Sequence, residues 1–307
     1  MTMIKTLAAA NKSEREHFKI PRSVQQSIPI QRIYRDGIWM VNGKYSRTWR
    51  FADINYSVAS HEDQQEMFLS YCGVLNSLPT GATAKITINN RRLNGTDFQH
   101  SVLMRLKGDG LDKYRQEYNG ILMEKAVESN NLIQDKYITI SVERKNIEEA
   151  RTFFKRVDID LGKSFGKLDS GAKALDNHER LRIFHDFFRP GEEQDFRIDL
   201  SEAMKRGHSF KDAIAPDGMQ FKADHFEIGG KVGRVLFLRE YASYIKDRMI
   251  TDLSDFSRNL MLSIDILPVP TNEAIKEMQA RILGVESDIT RWQQKQNANN
   301  NFTATVP

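Results

Sequence analysis

The residues with the clearest chemical promise are Gly162-Lys163-Ser164, the three that close a nucleotide-binding P-loop. A complete loop needs another glycine five positions earlier, so that successive backbone N–H groups wrap the phosphates at a helix N-terminus. Val157 stands there instead. Its β-branched side chain disfavours positive φ, and it belongs to a helical pattern where the motif requires a strand. The residues therefore read as a helix ending at Leu161-Gly162, with solvated lysines beside it.

Other chemistries find less support. Seven histidines are scattered without a metal-binding spacing. His178 and His185 stand seven apart on one predicted helix, near Asp186, where helical zinc motifs place ligands four apart; they read as exposed or interface side chains. No Gly-x-Ser-x-Gly elbow occurs. The single cysteine, Cys72, falls on an apolar helix face and reads as a core residue rather than a nucleophile. No catalytic, cofactor-binding or metal residue is assigned.

Two groups remain. Arg47, Arg50, Arg91 and Arg92 cluster near Trp39, Trp49 and Phe51, and arginine beside aromatics on a sheet can stack single-stranded bases. Strand alternation alone also produces an aromatic core face with solvated arginines opposite. The second group, Ile275, Met278, Ile282, Val285, Ile289 and Trp292, is spaced three, four, three, four and three, a heptad seam. It either packs on a sheet of the C-terminal half or, toward Trp292, meets a partner.

These residues must be positioned by a chain of 307 residues, 40% hydrophobic and 28% charged, enough for two domains. Its 45 basic and 41 acidic residues are well mixed, so a strong field that would draw nucleic acid is not implied. No apolar stretch reaches membrane-spanning length, and one cysteine suits a reducing compartment; a cytoplasmic protein, or one peripheral on the cytoplasmic face of a membrane, is expected.

Asn42-Gly43 between aromatic and β-branched runs predicts a hairpin with strands near Ile33 to Val41 and Tyr45 to Ser57. A helix follows, capped by Ser60, with Phe68, Tyr71, Cys72, Leu75 and Leu78 inward. Strands at "TAKITINNR" and "KYITISVER" alternate with helices marked by Leu111, Tyr114, Tyr118, Ile121 and Leu122, and by Ile147, Ala150, Phe153, Phe154 and Val157. A helix from about Ala172 to Phe188 leads to the loop "RPGEEQD". Beyond it, two strand-like runs joined at Gly229-Gly230, a helix near Ala242 to Phe256, a strand "LMLSIDILPV" and a long helix from Thr271 repeat the first five elements.

The fold class predicted is α+β: two ferredoxin-like units in β-β-α-β-α(-β-α) order, the second incomplete. The expected divisions are an arm (1–30), a first unit (31–170), a helical connector (171–200), a second unit with the long helix (201–297) and a tail (298–307). A second unit that stops short implies the N-terminal part of a longer polypeptide, or an imperfect repeat.

The run "IPRSVQQSIPIQRIYRDGIWMVNGKYSRTWRFADINYSVASHEDQQEMFLSYCGVLNSLP", with "FFRPGEE", "YIKDRMITDLSDF" and "SIDILPVPTNEAIKEM", resembles the N-terminal region of TraC/TraE-type conjugal-transfer ATPases of type IV secretion systems from Gram-positive mobile elements. The likeness spans nearly the whole chain and includes no nucleotide-binding motif. It implies a region that precedes a RecA-like motor, with ATP and Mg expected only in that motor and no cofactor in this chain. It also implies a docking role, with inner-membrane secretion components and other ATPase subunits as partners, homo-oligomers included. A single-stranded nucleic-acid-binding module of the transfer apparatus is the alternative function.

Overall fold

The computed structural model describes residues 21–92, 102–128, 132–189, 191–193, 195–240, 248–256 and 258–303. After a one-turn helix α1 (Val24–Ser27), the chain enters β1 (Ile30–Ile33), β2 (Trp39–Val41) and β3 (Lys44–Phe51). Asn42 and Gly43, with φ of 49° and 75°, supply the left-handed pair that a two-residue hairpin needs between β2 and β3. The single strand expected from Ile33 to Val41 is broken at Gly37 (φ 77°), where the Tyr34 N–H donates to the Ile38 carbonyl at 2.8 Å. A Cβ at Gly37 would lie 2.7 Å from the Leu175 carbonyl oxygen, so glycine alone fits this turn.

Helix α2 (His61–Asn76) starts at Ser60, whose hydroxyl accepts the Asp63 N–H. It is followed by β4 (Ala82–Arg92), α3 (Asp112–Glu128), β5 (Leu132–Val142) and α4 (Ile147–Gly166). β4 and β5 pair antiparallel in register along their whole lengths. β3 lies on the other edge of β5, and β2 and a short β6 (Ala172–Ala174) share the far edge of β3 end to end.

The two faces of this sheet differ in chemistry, as the period of two dictates. One carries Tyr45, Trp49, Ile138, Ile140, Val142, Ala82 and Ala84, which pack on Ala150, Phe154, Val157, Leu161 and Phe165 of α4 and on Val74 of α2. Each fully buried side chain of that size contributes about 2 kcal/mol. The other face is polar: Ser46, Thr48 and Thr139, with the two threonine hydroxyls 2.9 Å apart, then Arg50, Tyr137, Asn89 and Arg91. Helix α5 (Asn177–Phe188) crosses it, and a second core of Ile28, Ile30, Trp39, Leu181, Ile214 and Ala215 forms at its β1–β2 end.

Several expectations need correction. The helix predicted from about Ala172 begins at Asn177, because Asp176 and Glu179 close a capping box that stops it there and frees 172–174 to pair with β3. Phe68 and Tyr71 of α2 are exposed and Cys72 is half-buried, since the helix turns Met67, Val74 and Leu75 to the core instead, joined by Leu78 just beyond its end. Leu111, just before α3, and Tyr114, Tyr118 and Ile121 on it are exposed.

The C-terminal part contains α6 (Leu200–Lys205), a three-stranded sheet of β7 (Met219–Phe221), β8 (Phe226–Ile228) and β9 (Lys231–Gly233), then α7 (Arg248–Ser254), β10 (Leu260–Ile266) and α8 (Thr271–Thr303). The fold is α+β, but this segment does not rebuild the first unit. β10 leaves the small sheet and pairs with β4, from Leu260 opposite Asn90 to Ile266 opposite Ala84, completing a seven-stranded antiparallel sheet in the order β1-β2-β3-β5-β4-β10, with β6 as the seventh strand paired to β3. β4 would otherwise present a long bare edge, and strands of three residues offer no comparable ladder. The second strand expected after Gly230 stops at Gly233, leaving Val235 to Leu238 exposed outside any strand. Residues 242–247 of the expected next helix lie outside the described residues.

Asp158 ties α4 to the sheet. Its Oδ1 accepts from the Trp49 indole N–H and its Oδ2 from Arg47, each at 2.6 Å. Truncation leaves a buried indole N–H and a largely buried guanidinium without their acceptor. Asp158→Ala should lower stability by about 2–4 kcal/mol in urea unfolding. A loss within experimental error would show that the clamp is incidental.

Candidate interaction surface and charged cleft

Gly162-Lys163-Ser164 lies within α4, which runs one turn beyond the expected end at Gly162. Phe165 and Leu168 are buried and extend the inward face past that glycine, which holds the last turn down. A phosphate cradle needs free N–H groups at a helix start, whereas those of an interior turn are used by the helix.

The four candidate arginines divide. Arg47 points to the apolar face and is bound to Asp158, whereas Arg50 and Arg91 line one cleft on the polar face. Arg92 closes β4, and its side chain lies outside the described residues. The cleft, ≈ 230 Å³, lies between β3, β4 and β5 on one side and α5 on the other; α5 contributes His178, Glu179, Arg182 and Asp186. Arg91 Nε donates to Asp135 Oδ2 at 2.9 Å. Burial alone would lower the pKa of Arg91, but the charge and hydrogen bond of Asp135 outweigh it and raise the value. Burial, reinforced by Asp135, pushes the Tyr137 phenol up.

His185, read from the sequence as an exposed or interface side chain, is buried within the fold, with Nδ1 3.2 Å from Asp186 Oδ1. His178 and His185 both stand against the Phe196 ring, at 4.9 and 5.0 Å between centroids, which explains their two-turn separation on α5 as packing. Among the described residues no group of three or more His, Cys, Asp or Glu side chains could hold a metal ion.

The sequence reading missed Arg180. It is only 4% exposed, donates to the carbonyls of Gly37 (2.8 Å) and Ser46 (3.1 Å) and to the Ser46 hydroxyl (3.2 Å), and lies over the Trp39 ring at 4.0 Å. Burial, then the charge of Arg47, pushes its pKa down to about 9, so it remains cationic at neutral pH. Acceptors and an aromatic face take the place of a carboxylate. Its place on α5 immediately before Leu181 was the available signal, since a residue next to the apolar stripe is reached by the sheet.

The heptad seam does not pack on a sheet. From Thr271 to Lys295 every residue of α8 except Ala274 is exposed, and Ile275, Met278, Ile282, Val285, Ile289 and Trp292 are 50–68% accessible. The helix has 33 residues and is about 50 Å long. β10 is taken by β4, so the sheet on which the seam was expected to rest is not formed there. Among the described residues no helix is long and apolar enough to cross a membrane. No family model matches the chain, and no curated protein matches it.

Asp186 generates a prediction. Burial raises its pKa, against the His185 hydrogen bond and the charges of Arg182 and Arg91. A carboxyl with a raised folded-state pKa favours the fold most when protonated, and that contribution is lost as pH rises through the folded-state value. Asp186→Asn should remove this loss and leave stability at neutral pH equal to or above that of the parent. Destabilisation by more than about 1 kcal/mol in urea would show that the ionised carboxylate is required.

Proposed function

We propose that this chain is the interaction and scaffolding region of a TraC/TraE-type conjugal-transfer ATPase, docking a motor domain to the translocation complex on the cytoplasmic face of the membrane. The observation that carries the reading is α8: a long helix whose apolar seam is open to solvent over three heptads. Exposed apolar surface of this extent marks a contact with another protein. The exposed aromatic side of α3 adds a second such face. Resemblance of extended sequence supplies the family, and the place of Gly162-Lys163-Ser164 inside α4, where the backbone N–H groups serve the helix, supports the reading that nucleotide chemistry belongs to another part of the machine.

The alternative, single-stranded nucleic-acid binding, is the weaker reading because Arg47 is committed to Asp158, so the proposed patch lacks one of its arginines.

Two measurements test the proposal. Isothermal titration of the chain with ATP should give no saturable binding at micromolar nucleotide, and saturation there would overturn it. In a conjugative element lacking the gene, complementation with the gene carrying Ile282→Asp and Ile289→Asp should reduce transfer at least about tenfold at unchanged protein level, as expected for loss of interface anchors. Transfer at the parental rate would remove α8 from the function.

A further inference from the structure

We propose that the seam of α8 is completed by a second copy of this chain, in a parallel, in-register two-stranded coiled coil. This rests on the reading of α8 as an interaction surface and names its occupant. Heptad positions follow from the spacing: Ile275, Ile282 and Ile289 take a, and Met278, Val285 and Trp292 take d. Isoleucine at every a position favours a parallel two-stranded coil, where each a residue meets its own counterpart, while Met278, Val285 and Trp292 stand at the d positions that leucine usually fills in such coils.

The flanking charges fit a second copy. In a parallel pair, each g residue faces the e residue five positions later on the partner. Ala274 then faces Gln279, Arg281 faces Glu286 and Asp288 faces Gln293. One of these pairs is oppositely charged and none is like-charged, and symmetry doubles each. Arg281 is already drawn along the helix flank by Glu277 of its own chain, at 2.7 Å.

The sequence also bounds the seam. Thr271 occupies the preceding d position and Gln296 the following a position, so apolar pairing stops after about three heptads. A seam of that length associates weakly, which suits a contact reinforced when subunits are held close.

The seam residues are exposed, so changing them leaves the folded body intact and the proposal open to refutation. Sedimentation equilibrium of the whole chain at ~100 µM, a concentration chosen for a short seam, should show dimer, and Ile282→Asp with Ile289→Asp should give monomer. Glu286→Lys should weaken the dimer about threefold, and Arg281→Glu added to it should restore affinity, as for an interhelical ion pair. In a Cys72→Ser background, Met278→Cys should crosslink to itself under mild oxidation.

A monomeric chain at that concentration overturns the proposal. So does crosslinking that occurs only when Met278→Cys is mixed with Ile289→Cys, the signature of an antiparallel pair. A monomer whose Ile282→Asp, Ile289→Asp variant still abolishes transfer would leave the docking role standing and remove the second copy. A dimer whose disruption leaves transfer unchanged would do the reverse.

Discussion

The pairing of β4 with β5 is the constraint on which the rest of the structure depends. Eleven residues of each strand lie in unbroken antiparallel register, Ala82 opposite Val142 and Arg92 opposite Leu132. A slip of β4 by one residue would turn Ala84 and Ile86 to the polar side and bring Thr87 and Asn89 under α4, and a slip of β5 would do the same to Ile138 and Ile140 and to Tyr137. Because that exchange is so costly, the register also fixes its neighbours: β3 must present Trp49 beside Ile138, and β10 must present Ile264 beside Ile86.

The register leaves charged groups near both faces, and each is handled locally. On the apolar side, Asp158 takes up the Trp49 indole N–H and Arg47 together. On the polar side, Arg180 is held by carbonyls, a hydroxyl and an indole ring, while Arg91 is paired with Asp135 and Arg182 stands 3.7 Å from Asp186. Breaking such pairs costs more than forming them contributes, so they specify how α4 and α5 sit on the sheet more than they add to its stability.

Much of this was legible in the sequence where one local rule decided the outcome. Asn42-Gly43 marked its hairpin, Ser60 marked a helix start, and the alternation of "TAKITINNR" and "KYITISVER" separated the two faces. What failed required knowledge of distant partners. The strand at Leu260 was recognised, but its pairing with β4 depends on an edge about 170 positions earlier in the chain. The apolar periodicity of α2, α3 and α8 was real, yet periodicity reports a face and not whether anything covers it. The arginines were grouped by proximity in sequence, and strand alternation then sent Arg47 and Arg50 to opposite sides.

That last distinction, between an apolar face and a covered one, gives α8 its significance. A helix without tertiary support is only marginally stable in water, and here the body of the protein supplies none along the seam. If another copy supplies it, the order of the helix must depend on concentration. Hydrogen–deuterium exchange across Ile275 to Trp292, followed in the whole chain at increasing concentration with β4 and β5 as internal reference, tests this directly. Protection that rises with concentration in α8 while β4 and β5 stay unchanged is the predicted result. Strong protection in α8 that is the same at every concentration would contradict the account.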